Sequence, residues 1–341
     1  GLTKIGKSTG MEKIKDIAVS GDYVKEMDGG QIENIENIVK KEVANAITVT
    51  QADNLKPLKA VADTANAMGA LYLYELFNTI KGDLIKLNFE LDGNFPAHEA
   101  DPLKLETLKE LQAKVISENA QLGIATDGDA DRTFFVDEKG QIIPASLITS
   151  LAIREFLKNN PGETVICDIR YLLNAKKVTV DNGGKLIISK VGHAFITELS
   201  AQENAIFAGE SSGHYFFRAT GFAESSVCIT LIILKILSNS GKTTSQLVDE
   251  VQSAHESGEI NFEVSDAKPA LDELTKQYSD GNLSTLDGIA IEYPEWRFGV
   301  RTSNTEPLMR LNLESYDKNI METKKTELID KILSLGAKLK K

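Results

Sequence analysis

Two short apolar runs, each closed by an aspartate and followed by a further strand pattern, limit what this chain can become. They are Lys56-Pro57-Leu58-Lys59-Ala60-Val61-Ala62-Asp63 and Thr164-Val165-Ile166-Cys167-Asp168, with terminal aspartates 105 positions apart. Runs of this length and composition read as buried strands. After the first, a helical spacing from Leu71 to Ile80 stops at Gly82, and Leu84 to Phe89 reads as the next strand. A strand, a helix and a strand in succession predict a parallel sheet. After the second run, Lys185 to Ser189 reads as a strand, Val191-Gly192-His193-Ala194-Phe195 opens a helix, and Ala205 to Ala208 is another strand. The separation is that of a small domain, which points to duplicated α/β units.

The remaining stretches fit around these two units. Residues 1 to 20 are basic and poorly periodic and cannot form a core alone, whereas Ile32, Ile35, Ile38 and Val43 predict a helix over Gln31 to Val43. Asp92 to His98 is a loop, Leu105 to Glu118 a helix behind Pro102, and Asp137 to Gly140 a turn. A helix from Leu147 to Lys158 precedes the break Asn159-Asn160-Pro161-Gly162, where a domain boundary is expected there or a few residues earlier. Val227 to Leu237 reads as a long buried helix, and past Gly258 strands predominate, which suggests a smaller α+β domain.

Composition narrows the function. A formal net charge of -12 argues against a general nucleic-acid binder, so an anionic ligand must meet local basic groups. Cys167 and Cys228 each lie in an apolar run and read as core residues of a protein from a reducing compartment. The most apolar window is interrupted by Lys235 and is too short to cross a bilayer, so no membrane partner is expected and a cytoplasmic location is.

The chemistry-bearing stretch is Asp127-Gly128-Asp129-Ala130-Asp131-Arg132, set between the apolar runs Leu122 to Ala125 and Phe134 to Val136. Three carboxylates at alternate positions on a short loop suit a hard cation, Mg²⁺ or Ca²⁺ rather than zinc. A solvated acidic turn is the alternative. An EF-hand would place Glu138 at its twelfth position, but Arg132 stands where the sharp turn needs glycine. A phosphatase with an aspartyl nucleophile would use two of the carboxylates and leave Arg132 without work. Gly209-Glu210-Ser211-Ser212-Gly213-His214 allows close backbone approach, with Glu210 and Ser212 suited to vicinal sugar hydroxyls and His214 to proton movement or phosphate binding. A strand-to-helix turn with satisfied polar groups is its plain alternative. Arg301-Thr302-Ser303-Asn304-Thr305-Glu306-Pro307 suits a phosphate dianion, or else is a capped surface turn. His98 reads as a hydrogen-bonding loop residue rather than a metal ligand.

Taken together, the strings TDGDADR, VGHAF, GESSGH and RTSNTEPLMR, in this order and spacing, resemble the α-D-phosphohexomutases of the phosphomannomutase/phosphoglucomutase type from about Gln31 onward. The resemblance implies tandem three-layer α/β/α domains with mixed sheets followed by a smaller α+β C-terminal domain. Its boundaries would be 1–30 for a remnant of a first domain, 31–155 with the metal loop, 156–258 with the sugar loop, and 259–341 with the phosphate loop. It implies Mg²⁺ on Asp127, Asp129 and Asp131, and catalytic roles for Arg132, Arg170, His193 and His214. It further implies sugar recognition by Glu210 and Ser212, and a phosphate grip by Arg301, Ser303, Asn304 and Thr305. The activity implied is interconversion of hexose 1-phosphate and 6-phosphate with glucose or mannose 1,6-bisphosphate as activator. The alternatives are a catalytically incomplete phosphosugar-binding protein or fragment, and a phosphoglucosamine mutase.

Two departures from the family pattern carry consequences. Asp63-Thr64-Ala65-Asn66-Ala67 has alanines where the family has glycines, which costs about 1 kcal/mol per position wherever φ is positive. The family's phosphoserine sits in a Thr-x-Ser-His-x-Pro-like loop, and no Ser-His pair occurs here. The opening Gly1-Leu2-Thr3-Lys4 resembles the segment just downstream of that serine, with Lys4 at an active-site lysine. The expectation is therefore a chain lacking its serine loop, inactive alone, with the missing N-terminal segment as a partner. Ser8 and Ser20 lack the motif.

Overall fold

The computed structural model describes residues 5–25, 29–302 and 307–340. Behind a π-helical turn at Lys7–Met11, α1 (Glu12–Ser20) buries none of its residues. Among the described residues this matches the expectation that the opening stretch supplies no core.

The first unit comprises α2 (Ile38–Thr50), β1 (Lys59–Asp63), α3 (Gly69–Ile80), β2 (Asp83–Leu87), α4 (Lys109–Ser117), β3 (Leu122–Thr126), β4 (Thr133–Asp137) and β5 (Ile142–Ile143). Its sheet has the order β2-β1-β3-β4-β5, with β1 parallel to β2 and β3, and β4 antiparallel to β3. Side chains alternate between two cores, as the period of a strand requires. Ala60, Ala62, Leu122, Ile124 and Phe135 face one side, while Val61, Ala125, Phe134 and Val136 face α4 on the other. Helices on both faces make three layers.

Two local expectations shift. α2 begins at Ile38, not Gln31, because Asn37 adopts a left-handed φ of 58° that breaks the approach. Ile32 and Ile35 are left exposed, and Val43, Ala46 and Thr50 form the buried face. α3 closes on Lys81 in the left-handed region rather than on Gly82. At Gly82 a Cβ would lie 2.8 Å from the Phe77 ring, so this glycine provides room for packing instead of a turn.

The second unit repeats the plan. It comprises α5 (Ala145–Asn159), β6 (Thr164–Asp168), α6 (Leu173–Asp181), β7 (Lys185–Ser189), α7 (His193–Gln202), β8 (Phe207–Gly209), β9 (Tyr215–Phe217), α8 (Ser226–Ser240) and α9 (Thr244–Asp249). The order is β7-β6-β8-β9, with β6 parallel to β7 and β8, and β9 antiparallel to β8. The topology of β1 to β4 thus recurs in β6 to β9, which bears out the duplication read from the two aspartate-terminated runs. α8 is apolar nearly all round and packs against α2 and α5, so one continuous core joins the two units. Cys167 and Cys228 are buried free thiols, as expected, and burial pushes the Cys228 thiol up to about 11.

The C-terminal unit comprises β10 (His255–Glu256), β11 (Ile260–Glu263), α10 (Lys268–Gln277), β12 (Asn282–Ser284), β13 (Ile289–Glu292), β14 (Trp296–Thr302), β15 (Leu308–Ser315), α11 (Lys318–Ser334) and β16 (Lys338–Leu339). Its sheet is antiparallel, β12-β13-β14-β15-β11-β16 with β10 on β15, and encloses a separate core. A buried ion pair docks it onto the second unit. Arg297 Nη1 lies 2.7 Å from Glu314 Oε1, and the guanidinium also donates to the carbonyls of Ile169 and Arg170. Glu314 accepts the Leu172 and Leu173 amides at 2.6 and 3.0 Å, at the start of α6. Each charge has several hydrogen-bond partners, the condition under which burial of an ion pair is tolerated. Among the described residues no helix is long and apolar enough to cross a membrane.

Candidate active site

The acidic stretch is the loop of the β3–β4 hairpin, closed by the pairing of Thr126 with Thr133. Its shape follows from its own side chains. Asp127 Oδ1 accepts the Arg132 amide at 3.1 Å, its carbonyl accepts the Ala130 amide at 3.2 Å, and Ala130 takes a left-handed φ of 62° to make the turn. Ligand oxygens of Asp127, Asp129 and Asp131 come within 4.8 Å of one another, a spacing that fits a single hard cation. Arg132 Nε reaches Asp127 Oδ2 at 2.6 Å and its Nη1 reaches Asp101 Oδ1 at 3.2 Å. Burial raises the Asp127 pKa and outweighs its Arg132 contacts, with the neighbouring Asp131 charge adding to the rise.

Glu210 to His214 form the corresponding loop between β8 and β9, a strand-to-strand connection rather than a strand-to-helix turn. Gly213 has φ of 93° and a Cβ there would stand 2.6 Å from the Phe134 ring, while one at Gly209 would stand 2.2 Å from Thr149 Oγ1. Both glycines are therefore required by close packing, the first by conformation as well. The Gly213 carbonyl accepts the Thr133 amide at 2.9 Å, which joins the two hairpins directly. His214 completes the joint: Nδ1 lies 2.8 Å from Glu210 Oε2 and 2.9 Å from Ser212 Oγ, and Nε2 lies 3.3 Å from Asp131 Oδ1. Burial alone would lower the His214 pKa, but its bonds to Asp131 and Glu210 outweigh this and lift it to about 9. Burial likewise opposes Glu210 ionisation, yet His214 and Arg170 pull its pKa down to about 2.

Arg170 is fixed from behind by Asp168, the aspartate at the end of β6, through Nε at 2.9 Å and Nη2 at 3.3 Å. Its Nη2 lies 3.5 Å from Glu210 Oε1. Asp168 also accepts the Ser211 amide at 2.5 Å, so one buried carboxylate sets both the arginine and the loop. Asp63, its counterpart on β1, instead accepts from Ala65 N, Asn88 Nδ2 and His98, whose Nε2 is 3.0 Å away. His98 thus has the hydrogen-bonding role expected of it. His193 opens α7 behind Gly192, with Nδ1 3.5 Å from Glu224 Oε1 and its ring 6.2 Å from that of His214.

Asp127, Asp129, Asp131, Arg132, His193, Glu210, Ser212 and His214 line one open cleft of about 380 Å³. Arg170 stands behind the Glu210 wall. Arg301 does not line the cleft; it is the penultimate residue of β14 in the C-terminal unit and pairs with Glu259. Lys4, Ser303, Asn304 and Thr305 lie outside the described residues. Roomier clefts of about 500 and 590 Å³ occur elsewhere, one beside Lys56 and Lys242, the other beside Phe156 and Lys235. Neither gathers convergent charged groups of this kind. Three supporting residues escaped the reading of the sequence. Asp101 and Glu224 belong to no motif, and Asp168 was legible only as the end of a strand.

Family models describe the same three units. Residues 35–140 match phosphoglucomutase/phosphomannomutase alpha/beta/alpha domain II, 145–254 match alpha/beta/alpha domain III, and 259–331 match the C-terminal domain. The chain belongs to the phosphoglucomutase/phosphomannomutase family. It is 37% identical over 281 residues to a phosphomannomutase of Methanocaldococcus jannaschii, covering 82% of this chain and 63% of that protein. It is 34% identical over 340 residues to a phosphomannomutase of Escherichia coli K12, covering 96% of this chain and 74% of that protein. Among solved structures, a phosphoglucomutase/phosphomannomutase family protein from Burkholderia thailandensis superposes with a TM-score of 0.86 at 27% identity, over 98% of this chain and 72% of that one. The expected family and the tandem α/β architecture both stand on these matches.

Proposed function

We propose that this chain binds a hexose phosphate and Mg²⁺ in the cleft between the two hairpins and serves the interconversion of hexose 1-phosphate and 6-phosphate through a bisphosphorylated sugar. One observation carries the reading: His214 touches the acidic loop through Asp131 and the second hairpin loop through Glu210, which supports a shared site for metal and sugar. Asp127, Asp129 and Asp131 would hold the cation. Both Asp127 oxygens accept from Arg132 and keep further lone pairs for a ligand role. Mg²⁺ bound there supplies neutralisation of a phosphate's charge, which phosphoryl transfer needs more than covalent assistance.

The chain's own groups do the rest. Arg132, held by Asp127 and Asp101, offsets charge that develops on the transferring phosphoryl oxygens. His214, bonded to Glu210 and beside Asp131, can give a proton to a sugar oxygen or hold it against phosphate. Glu210 and Ser212 orient sugar hydroxyls, Arg170 keeps Glu210 ionised, and His193 stands at the cleft rim. Arg301 with Ser303, Asn304 and Thr305 grips the phosphate that stays on the sugar, at the far end from the reacting one. Separate anchors for sugar and phosphate admit both orientations of a bisphosphate.

The serine that carries the phosphoryl group in this reading is assigned to no residue, since the sequence contains no Ser-His pair. The second reading is a phosphosugar-binding protein without turnover, since each of these cleft groups can hold a phosphosugar without a transfer step. Calorimetry with glucose 6-phosphate and Mg²⁺ tests what the two share: binding is expected, and Arg301→Ala should abolish it. Unchanged affinity in that variant removes the phosphate grip from both. Conversion of glucose 1-phosphate to glucose 6-phosphate with glucose 1,6-bisphosphate present separates them, turnover deciding for the mutase.

A further inference from the structure

Arg301 and Arg310 are register partners across β14 and β15, so their side chains leave the same face of the C-terminal sheet. β11 pairs with the other edge of β15, with Ile260 opposite Leu311, which brings the preceding residue, Glu259, beside the two arginines. The carboxylate spans them. Oε2 lies 2.9 Å from Arg301 Nη2 and Oε1 lies 3.2 Å from Arg310 Nη1. Two oxygens shared between two guanidinium groups is also how a phosphate monoester is gripped. Arg301 Nε is buried and has no hydrogen-bond partner among the described residues, which leaves a donor for a ligand with more oxygens than a carboxylate. The cluster faces the second unit closely enough for the Glu259 charge to be felt at Arg170 and Tyr171.

We infer that Glu259 is a built-in occupant of the phosphate position: its carboxylate bridges Arg301 and Arg310, and the phosphate of the substrate must displace it. The inference rests on the reading of Arg301 as a phosphate anchor and adds a residue that sets its selectivity. The β14–β15 register places Arg301 and Arg310 side by side without Glu259, and the carboxylate between them offsets their mutual repulsion. A phosphate dianion has more charge and a third acceptor oxygen and can displace a carboxylate, whereas a singly charged ligand has no such advantage. Glu259 is 26% exposed, so the displaced side chain has solvent to enter.

The test is titration of the full chain with glucose 6-phosphate and with inorganic phosphate, at fixed ionic strength, for the unaltered protein, Glu259→Gln and Arg301→Ala. Removing the competing carboxylate should tighten both ligands in Glu259→Gln by roughly tenfold, the equivalent of one charge-assisted contact. Unchanged or weakened affinity in Glu259→Gln, with binding lost in Arg301→Ala, overturns the inference and leaves the phosphate anchor standing. Equal affinity in the unaltered protein and in both variants overturns the inference together with the anchor.

Discussion

The two α/β units share a strand plan and differ in what they do with it. Each has an aspartate at the end of its first strand, Asp63 on β1 and Asp168 on β6, and each ends in a hairpin loop that reaches the same cleft. In the first unit the strand-end aspartate supports scaffold, a turn and His98, while the hairpin presents carboxylates. In the second the strand-end aspartate fixes Arg170, and the hairpin presents Glu210 and His214. The same topology has thus been given complementary charges, acidic on one loop and a histidinium held beside it on the other. Divergence after duplication is economical here because the hairpins already meet, through the Thr133 amide and the Gly213 carbonyl.

The comparison can be broken at the loops. Asp129 is exposed, so Asp129→Asn should leave the thermal midpoint unchanged while lowering Mg²⁺ affinity by more than the roughly 10–100-fold typical of a supporting residue. Retained Mg²⁺ affinity in calorimetry would return the loop to a solvated acidic turn. Gly213→Ala attacks the other hairpin, where φ of 93° and the Phe134 ring leave no room for a Cβ. A loss of about 1–3 kcal/mol in urea unfolding is expected; a loss within error would mean that the joint between the hairpins is not packed as described.

Smaller effects sharpen the contrast between the two strand ends. Ala65 sits at φ of 48°, so the cost attached to the missing glycine is real at this position. Ala65→Gly should stabilise the first unit by about 1 kcal/mol, read from the shift in urea midpoint. Smallest is the pH effect at His98. Burial lowers its pKa, but the Glu99 carbonyl and Asp63 outweigh this and raise it above the ordinary 6.5. Since the folded value is the higher one, the pair's stabilisation is complete below pH 6.5 and is lost as pH rises through the folded pKa. His98→Asn should flatten stability across that window, and an unchanged pH profile would show that the pair contributes nothing.

Much of this was legible from residues alone, for reasons the structure makes plain. Strands such as β3 and β4 are buried along their whole length, so their apolar runs mark them clearly, and the loops carry unusual residues at fixed spacing. Local conformation was harder to read. Ile32 and Ile35 keep a helical spacing but lie outside α2, because the left-handed Asn37 intervenes and no core surface faces them. Partners brought together by tertiary folding left no mark either. Asp101 supports Arg132 across 31 positions and Glu259 reaches Arg301 across 42, separations at which neither period nor motif links residues.

The central claim is that the two hairpins form one site, and linkage between their ligands tests it most directly. Mg²⁺ affinity should be measured by calorimetry with and without saturating glucose 6-phosphate, in the unaltered chain and in His214→Gln. The sugar phosphate is expected to change Mg²⁺ affinity by roughly 5-fold or more, a coupling that must be reciprocal, and to do so much less in His214→Gln. The same Mg²⁺ affinity with and without glucose 6-phosphate in the unaltered chain, both ligands binding, would contradict a shared site.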